Sequence, residues 1–150
     1  MKKTLLILPS LNEGKNLEIL IKRVFRTKYS LDILIINDET NSVTLKRILN
    51  LKKNIKKKNI FFKLRKKRLG IGKAQKDGLN FAYSKKYDYA ITMDTDLAHH
   101  PRYFKNLFIN IKKNHLFVGS CFCTYLSYHD MQLVVLDSSY CTVHAPGHTQ

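Results

Sequence analysis

The chain has 150 residues, with 27 Lys or Arg against 11 Asp or Glu, and its formal net charge is +16. An apolar fraction of 44%, six Gly and three Pro are typical of a globular protein and exclude disordered and collagen-like chains. Lys and Arg interrupt every apolar run, so none reaches the roughly 18–20 residues that a membrane span requires. The apolar stretch after Met1 is too short for a signal peptide, and we therefore expect a cytoplasmic protein.

The charge is distributed unevenly along the chain. All 27 Lys and Arg lie within residues 1–118, whereas residues 119–150 contain none and carry two Asp. The three Cys are Cys121, Cys123 and Cys141, and this odd number without an export signal indicates reduced thiols. Cys121 and Cys123 do not have the spacing of a zinc-binding pair. The composition thus predicts a boundary near residue 120.

Short apolar runs alternate with amphipathic segments along most of the chain. Apolar runs predict buried strands over residues 5–8 and 33–36, and further strands over residues 60–64, 89–93 and 116–118. Between them, apolar side chains at helical spacing predict helices from about residue 12, around residues 45–49, from residues 70–72 and from residue 101. This alternation predicts an α/β fold with a mostly parallel sheet.

Polar clusters follow the first, second and fourth predicted strands. They are Ser10, Asn12 and Glu13 after the first strand, residues 37–39 after the second, and residues 94–96 after the fourth. Ligands of parallel sheets bind at the carboxyl ends of the strands, so these clusters are expected to share one edge.

Asp94 and Asp96 are the strongest local signal for chemistry. Two carboxylates separated by one residue at a strand end can turn toward one hard divalent ion such as Mg²⁺ or Mn²⁺, with substrate phosphates completing its shell. Asp38 lies at the neighbouring strand end and favours this hypothesis. The alternative is a solvated acidic turn, or a cap for the helix predicted at Pro101.

The segment 66–73, KKRLGIGK, approaches a predicted helix start with four cations and two glycines. A helix N-terminus offers free N–H groups to an anion, and the cations add to this attraction. The segment matches neither the P-loop pattern nor G-x-G-x-x-G, because Gln75 replaces the third Gly. The alternative is an ordinary helix start beside a solvated charge run.

Together these segments resemble the family 2 glycosyltransferases with the GT-A fold. Residues 6–13, LILPSLNE, resemble the P-x-x-N-E opening of that family, and residues 35–40, IINDET, stand where it has an Asp-Asp-Gly-Ser turn. Residues 68–74, RLGIGKA, resemble its R-x-G-x-G-x-A segment. Residues 93–101, MDTDLAHHP, are close to the M-D-A-D-L-S-H-H-P of dolichol-phosphate mannosyltransferases, and residues 118–120 resemble the strand before their G-[ST]-R-Y motif.

The resemblance implies a Rossmann-like GT-A nucleotide-sugar-binding fold, a GDP-mannose or similar donor, a polyprenyl or dolichyl phosphate acceptor and peripheral contact with the cytoplasmic membrane face. The residues that it implies in donor binding are Pro9, Asn12, Glu13, Asp38, Arg68, Gly70, Lys73 and Asp94. Asp38 is expected near the base or ribose. Asp94 and Asp96 are the expected catalytic residues, at the metal and the diphosphate.

The resemblance covers about residues 4–120, which predicts a donor-binding part over 1–120 and an atypical tail over 121–150. Asn37, Glu39, Ala98 and Cys121 depart from the family pattern. We expect the tail to be a truncated or frame-shifted remnant, so that the acceptor half is missing, donor binding survives and transfer is weak.

Two other functions remain open. Residues 52–73 contain eleven Lys and Arg interleaved with Phe61 and Phe62, a pattern that fits a nucleic-acid-binding module. Such a module does not explain residues 94–101, so no nucleic-acid partner is expected. The third hypothesis is an inactive fragment that binds a nucleotide without turnover.

Overall fold

A computed structural model describes residues 3–39, 41–54, 60–97, 100–105, 108–109, 125–128 and 131–136. The strands are β1 (Thr4–Leu11), β2 (Asp32–Asp38), β3 (Ile60–Leu64), β4 (Tyr89–Met93), β5 (Tyr125–Tyr128) and β6 (Met131–Leu136). The helices are α1 (Gly14–Phe25), α2 (Ser42–Asn54), α3 (Ile71–Ser84) and a 3-10 helix over Pro101–Tyr103.

The six strands form one sheet in the order β3-β2-β1-β4-β6-β5. All neighbouring pairs are parallel except β5 and β6, which are antiparallel. The predicted α/β class with a mostly parallel sheet is therefore confirmed. β2 and β3 are added on one side of β1, whereas β4 is added on its other side. The strand order therefore reverses between β1 and β4, and such a switch point leaves a crevice at the carboxyl ends of these two strands.

Helices cover both faces of the sheet, which explains why β1 is apolar at every position from Leu5 to Pro9 rather than at alternate ones. Leu6 and Leu8 pack with apolar residues of α1 and α2, whereas Leu5 and Ile7 pack on the opposite face with Ala74 of α3. A strand buried on both faces reads as a continuous apolar run. The buried run therefore predicts the strand but not which helix covers which face.

β1 extends beyond the predicted residues 5–8, through Pro9 to Leu11. β1 pairs with β4 only from Thr4 to Ile7, and from Pro9 onward it pairs with β2 alone. A proline has no N–H to donate, so it is tolerated where one side of the strand is open. The half-paired end of β1 thus carries Pro9 and Ser10 to the edge of the crevice.

The carboxyl-terminal segment contributes two strands that the sequence patterns did not predict. β6 pairs along the whole of β4, from Tyr89 opposite Gln132 to Met93 opposite Leu136, and β5 pairs with β6 at the sheet edge. The strand predicted over 116–118 lies outside the described residues. The proposed boundary near residue 120 and the origin of the tail stay predictions.

None of the helices within the described ranges is long and apolar enough to cross a membrane.

Candidate functional site

Asp38 ends β2 and accepts three hydrogen bonds at the crevice. Its Oδ1 accepts from Arg65 Nη1 at 2.9 Å, and its Oδ2 accepts from the backbone N–H groups of Leu69 at 2.8 Å and Gly70 at 2.9 Å. Burial alone would raise the pKa of this carboxyl, but the bonds from Leu69, Arg65 and Gly70 outweigh it and hold the pKa below its ordinary value. Asp38 is therefore an ionised anchor for the loop that follows β3.

Arg65 is buried directly after β3 and joins three parts of the fold. Besides Asp38, its guanidinium bonds to the Asp77 carboxylate in α3 at 2.5 Å and to the Lys73 carbonyl at 3.2 Å. Asp77 also forms an ion pair with Lys63, whose Nζ lies 2.9 Å from Asp77 Oδ2. The bond from Lys63, together with Arg65, lowers the pKa of Asp77 to about 2, although burial opposes this shift. A planar guanidinium suits this double contact, because it donates in several fixed directions.

Residues 66–70 form a short loop whose backbone is fixed at its end. Gly70 has a φ of +84°, a conformation that residues with a Cβ rarely adopt, and it precedes the first residue of α3. The N-cap is this glycine, which has no side chain to accept a hydrogen bond, and within the described residues no other side chain caps the helix start. An anion site requires such N–H groups at the first turn of a helix.

Glu13 and Thr95 connect the ends of β1 and β4. The Thr95 hydroxyl is buried and lies within hydrogen-bond distance of the Glu13 carboxylate and, at 3.1 Å, of the Pro9 carbonyl. A hydroxyl has one proton to donate, and the carboxylate is the stronger acceptor. Thr95 thus holds Glu13 at the crevice and fixes the turn between Asp94 and Asp96.

The polar ends of the central strands enclose a cleft of about 270 Å³. It is lined by Pro9, Ser10, Leu11, Glu13, Asp38, Arg68, Gly70, Ile71, Ala74, Asp94, Thr95 and Asp96. Three predicted clusters therefore meet at one place, after β1, β2 and β4. Asp94 is half-buried and Asp96 is exposed.

Seven of the nine predicted site residues line this cleft, and Asn12 and Lys73 do not. Asn12 has a φ of +57°, and its side-chain oxygen accepts from the Asn41 backbone at 3.1 Å, so it fastens the turn after β1 to the start of α2. The Lys73 ammonium lies 3.6 Å from Asp77. Their expected roles in donor binding stay predictions.

Ser10 is buried at the cleft wall, and within the described part of the chain its hydroxyl has no hydrogen-bond partner. A buried polar group without a partner costs free energy, which a ligand hydrogen bond would recover.

Among the described residues, no three His, Cys, Asp or Glu side chains are grouped to hold a metal. Asp94 and Asp96 nevertheless provide two hard oxygen ligands in one cleft. Mg²⁺ is commonly held by one or two carboxylates together with water and substrate phosphates, so the pair fits such an ion. His99 lies outside the described residues. His100 Nδ1 accepts from the Arg102 backbone, and burial together with Arg23 and Arg102 lowers its pKa.

The sequence patterns missed Arg65, Asp77 and Thr95. Arg65 stands in a run of eleven cations, where nothing in the sequence separates a buried guanidinium from solvated ones. Thr95 lies between Asp94 and Asp96, and this position at the end of the strand is the sequence signal that could identify it. Asp77 could not be recognised because its role depends on ion pairs with Lys63 and Arg65, which lie in another part of the chain.

Comparison with known protein families identifies a matching family. The family model described as glycosyl transferase family 2 covers residues 5–136, which is most of the chain. The match extends beyond residue 120 and includes the residues of β5 and β6.

Proposed function

Because the chain belongs to the family 2 glycosyltransferases, we propose that it moves mannose from GDP-mannose, or a similar nucleotide-sugar, to a polyprenyl or dolichyl phosphate, with Mg²⁺ or Mn²⁺ as cofactor. Family membership implies a nucleotide-sugar donor and an acceptor. The observation that carries the finer proposal is the cleft lined both by Asp94 and Asp96 and by Arg68 and Gly70. Acidic and basic groups on one cleft suit a metal–diphosphate pair.

Asp94 and Asp96 would hold the divalent ion, whose Lewis-acid chemistry stabilises the negative charge that develops on the leaving nucleoside diphosphate. Arg68 and the N-terminus of α3 would bind the same diphosphate. The diphosphate would then contact cationic groups of the protein as well as the divalent ion. Lys73 would contribute a further cation from the first turn of the helix.

The nucleoside would lie against Pro9, Ser10 and Glu13. The unpartnered Ser10 hydroxyl supports this placement, because a base or ribose would satisfy it. Both Asp38 oxygens already accept bonds from the protein, yet a carboxylate offers about four lone-pair directions. One ribose hydroxyl can therefore still donate to Asp38, while the loop that Asp38 anchors stays in place.

The acceptor phosphate would attack the anomeric carbon of the sugar, forming a carbon–oxygen bond as the bond to the leaving diphosphate breaks. A phosphate monoester has a second pKa of about 6 and is mostly ionised near neutral pH. The reaction therefore needs no side chain as general base. A lipid acceptor is the reason to place the protein at the cytoplasmic face of a membrane.

Nucleic-acid binding receives less support from the packing of the aromatic residues. Phe61 lies 5.0 Å from Phe81, ring centre to ring centre, and packs on one face of the sheet, whereas Phe62 packs on the other. Base stacking needs exposed rings. The acidic pair at the end of β4 also has no role in such a module.

Calorimetric titration of GDP and UDP, with and without Mn²⁺, tests the donor site. We expect GDP binding to require the metal, and Asp96→Asn to weaken metal-dependent binding at least tenfold, about 1.4 kcal/mol, because it removes a charged ligand. Asp88→Asn is the matched control, since Asp88 is an exposed acid like Asp96 but lies at the opposite end of β4. Equal binding by both variants would contradict the assignment.

Transfer is tested with a panel of radiolabelled nucleotide-sugars and a polyprenyl phosphate, read by extraction into organic solvent. Label in the organic phase supports the transferase. Metal-dependent GDP binding without transfer would instead support the nucleotide-binding fragment. Salt-sensitive binding of a DNA oligomer, indifferent to metal and to Asp96→Asn, would favour the nucleic-acid module.

A further inference from the structure

One side of the cleft carries an exposed surface that donor binding does not explain. We define this basic-apolar rim as Lys66, Lys67, Arg68, Leu69 and Ile71. Leu69 is 51% exposed and Ile71 is 55% exposed, and the three cations beside them are exposed as well. Single exposed apolar residues are ordinary, but here two of them flank a glycine at the mouth of a cleft.

The backbone holds this rim in place. The N–H groups of Leu69 and Gly70 donate to Asp38 Oδ2, and Gly70 has a positive φ. Arg65, one residue before the rim, is tied to both Asp38 and Asp77. The outward position of the Leu69 side chain therefore follows from a fixed loop and not from a loose one.

The rim also has uncompensated positive charge. Within the described residues, no carboxylate forms an ion pair with Lys66, Lys67 or Arg68, whereas the nearby Lys63 and Lys73 ammonium groups lie 2.9 and 3.6 Å from Asp77 oxygens. Three unpaired cations beside two exposed aliphatic side chains match a partner that is anionic at its surface and apolar beneath it. An anionic phospholipid bilayer has this chemistry.

We propose that the basic-apolar rim docks on an anionic phospholipid bilayer, with Leu69 entering the headgroup region and the Lys66 and Lys67 ammonium groups against lipid phosphates. Arg68, at the border between the rim and the cleft, keeps its role toward the donor diphosphate. Arg68 and Ile71 belong to the rim and also line the cleft. Docking would therefore orient the mouth of the cleft toward the headgroup layer, where the phosphate of a membrane-embedded acceptor lies. The role of this orientation in catalysis rests on the proposed lipid acceptor, whereas the docking itself does not.

The observations favour a bilayer over nucleic acid. Proteins that bind single strands place aromatic rings where bases can stack, and the rim presents aliphatic side chains instead. Phe61 and Phe62, the aromatic residues of the neighbouring β3, pack against the two core clusters. An exposed aliphatic side chain can instead be buried at the boundary between the headgroups and the acyl chains of a bilayer.

Flotation of the full chain with vesicles tests the docking. The vesicles contain phosphatidylcholine alone or phosphatidylcholine mixed with phosphatidylglycerol. We expect binding to the anionic vesicles only, reduced roughly 30-fold by Lys66→Gln with Lys67→Gln, since each cation near such a surface is worth about a factor of five. Leu69→Ser should reduce binding roughly tenfold through the loss of apolar burial.

Two controls on α2 match these variants. Lys52→Gln with Lys53→Gln removes two exposed cations, and Leu49→Ser removes a leucine that is 46% exposed. We expect both controls to bind the anionic vesicles within about threefold of the unchanged protein, because α2 lies outside the rim. Equal losses in rim and control variants would overturn the proposal, as would equal binding to both kinds of vesicle.

Calorimetry with GDP and Mn²⁺ in the absence of lipid separates this proposal from the proposed function. Lys66→Gln with Lys67→Gln and Leu69→Ser should leave nucleotide binding unchanged. Vesicle binding without nucleotide binding would support the docking and contradict the donor site, and the reverse result would do the opposite. Rim variants that lose binding to a DNA oligomer but not to vesicles would show a nucleic-acid surface and overturn the docking proposal.

Discussion

Arg65 connects the end of β2, the rim loop and α3 through one side chain. Its two carboxylate partners come from positions 27 residues before it and 12 residues after it. Both partners and Arg65 are largely withdrawn from solvent, with exposed fractions between 7% and 13%. A buried charge is stable only when it is paired, so the loss of this side chain affects both acids.

We expect Arg65→Gln to lower the free energy of unfolding by roughly 3 kcal/mol, because it leaves Asp38 and Asp77 without their shared cation. Arg65→Lys should recover only part of this loss, since one ammonium cannot reproduce the forked contacts of a guanidinium. Urea unfolding followed by circular dichroism measures both variants. Lys66→Gln, which changes the adjacent exposed cation, is expected to stay within about 0.5 kcal/mol. Equal values for Arg65→Gln and Lys66→Gln would contradict the role of Arg65.

At the residue scale, sequence reasoning identified acids by their position at strand ends. Glu13, Asp38, Asp94 and Asp96 all line the cleft, because parallel strands deliver their carboxyl ends to one edge. Asn12, in the polar cluster after the same first strand as Glu13, and Lys73, in the basic segment before α3, do not line the cleft. The sequence states which residues are near a strand end, but the direction of a side chain depends on its partners in other segments.

At the scale of elements, α3 approaches the sheet through small residues. Ala74, Gly78 and Ala82 recur at a spacing of four and are buried against it. A Cβ built at Gly78 would lie 2.5 Å from Ile7 Cγ2, closer than real side chains come. Gly78 is thus required by the close contact of α3 with β1, and not by an unusual backbone angle.

We expect Gly78→Ala to destabilise the protein by roughly 1–3 kcal/mol, because the added methyl group overpacks the contact with Ile7. Gly72→Ala is the matched control in the same helix, where a Cβ would meet nothing within 4 Å. That change should stabilise the protein by about 0.5 kcal/mol through helix propensity. Thermal unfolding measures both variants. A stabilising Gly78→Ala would show that the α3–β1 contact is looser than described.

The boundaries of two strands agree with their predictions. The predicted strands over 60–64 and 89–93 coincide with β3 and β4. β1 extends past its predicted end and through Pro9, because a parallel strand that is paired on one side tolerates a proline. Within the helical spacing around residues 45–49, Ile48 is buried, whereas Leu49 is 46% exposed. Periodicity therefore indicates a helix more reliably than it indicates each buried position.

At the scale of the whole molecule, the carboxyl-terminal strands complete the sheet beside β4. β6 lies between β4 and β5, so both of its edges are paired. All five residues of β4 are buried. Without β6, β4 would be the edge strand of the sheet and one of its backbone edges would be exposed. Open apolar edges promote association between chains. The segment that differs most in composition from the rest therefore contributes to the central architecture.

Val134→Pro tests this contribution, because Val134 pairs with Ile91 of β4 and with Tyr125 of β5. Proline removes a ladder hydrogen bond from an interior strand, and we expect a loss of about 3 kcal/mol. Tyr125→Pro is the control, since the first residue of an edge strand accepts proline with little cost. Urea unfolding compares the two. Equal stabilities would indicate that β6 is dispensable and would support a donor-binding part that ends near residue 120.

The sequence by itself determined the α/β class, the order of the first four strands and helices, and the acids at one edge of the sheet. These features follow from local burial and periodicity, which are properties of contiguous residues. Only the tertiary structure decided that one arginine among eleven cations is buried, that Thr95 holds Glu13, and that β5 and β6 extend the sheet. Each of these depends on partners distant in the chain, and the free energy of such a contact is not encoded in either segment alone.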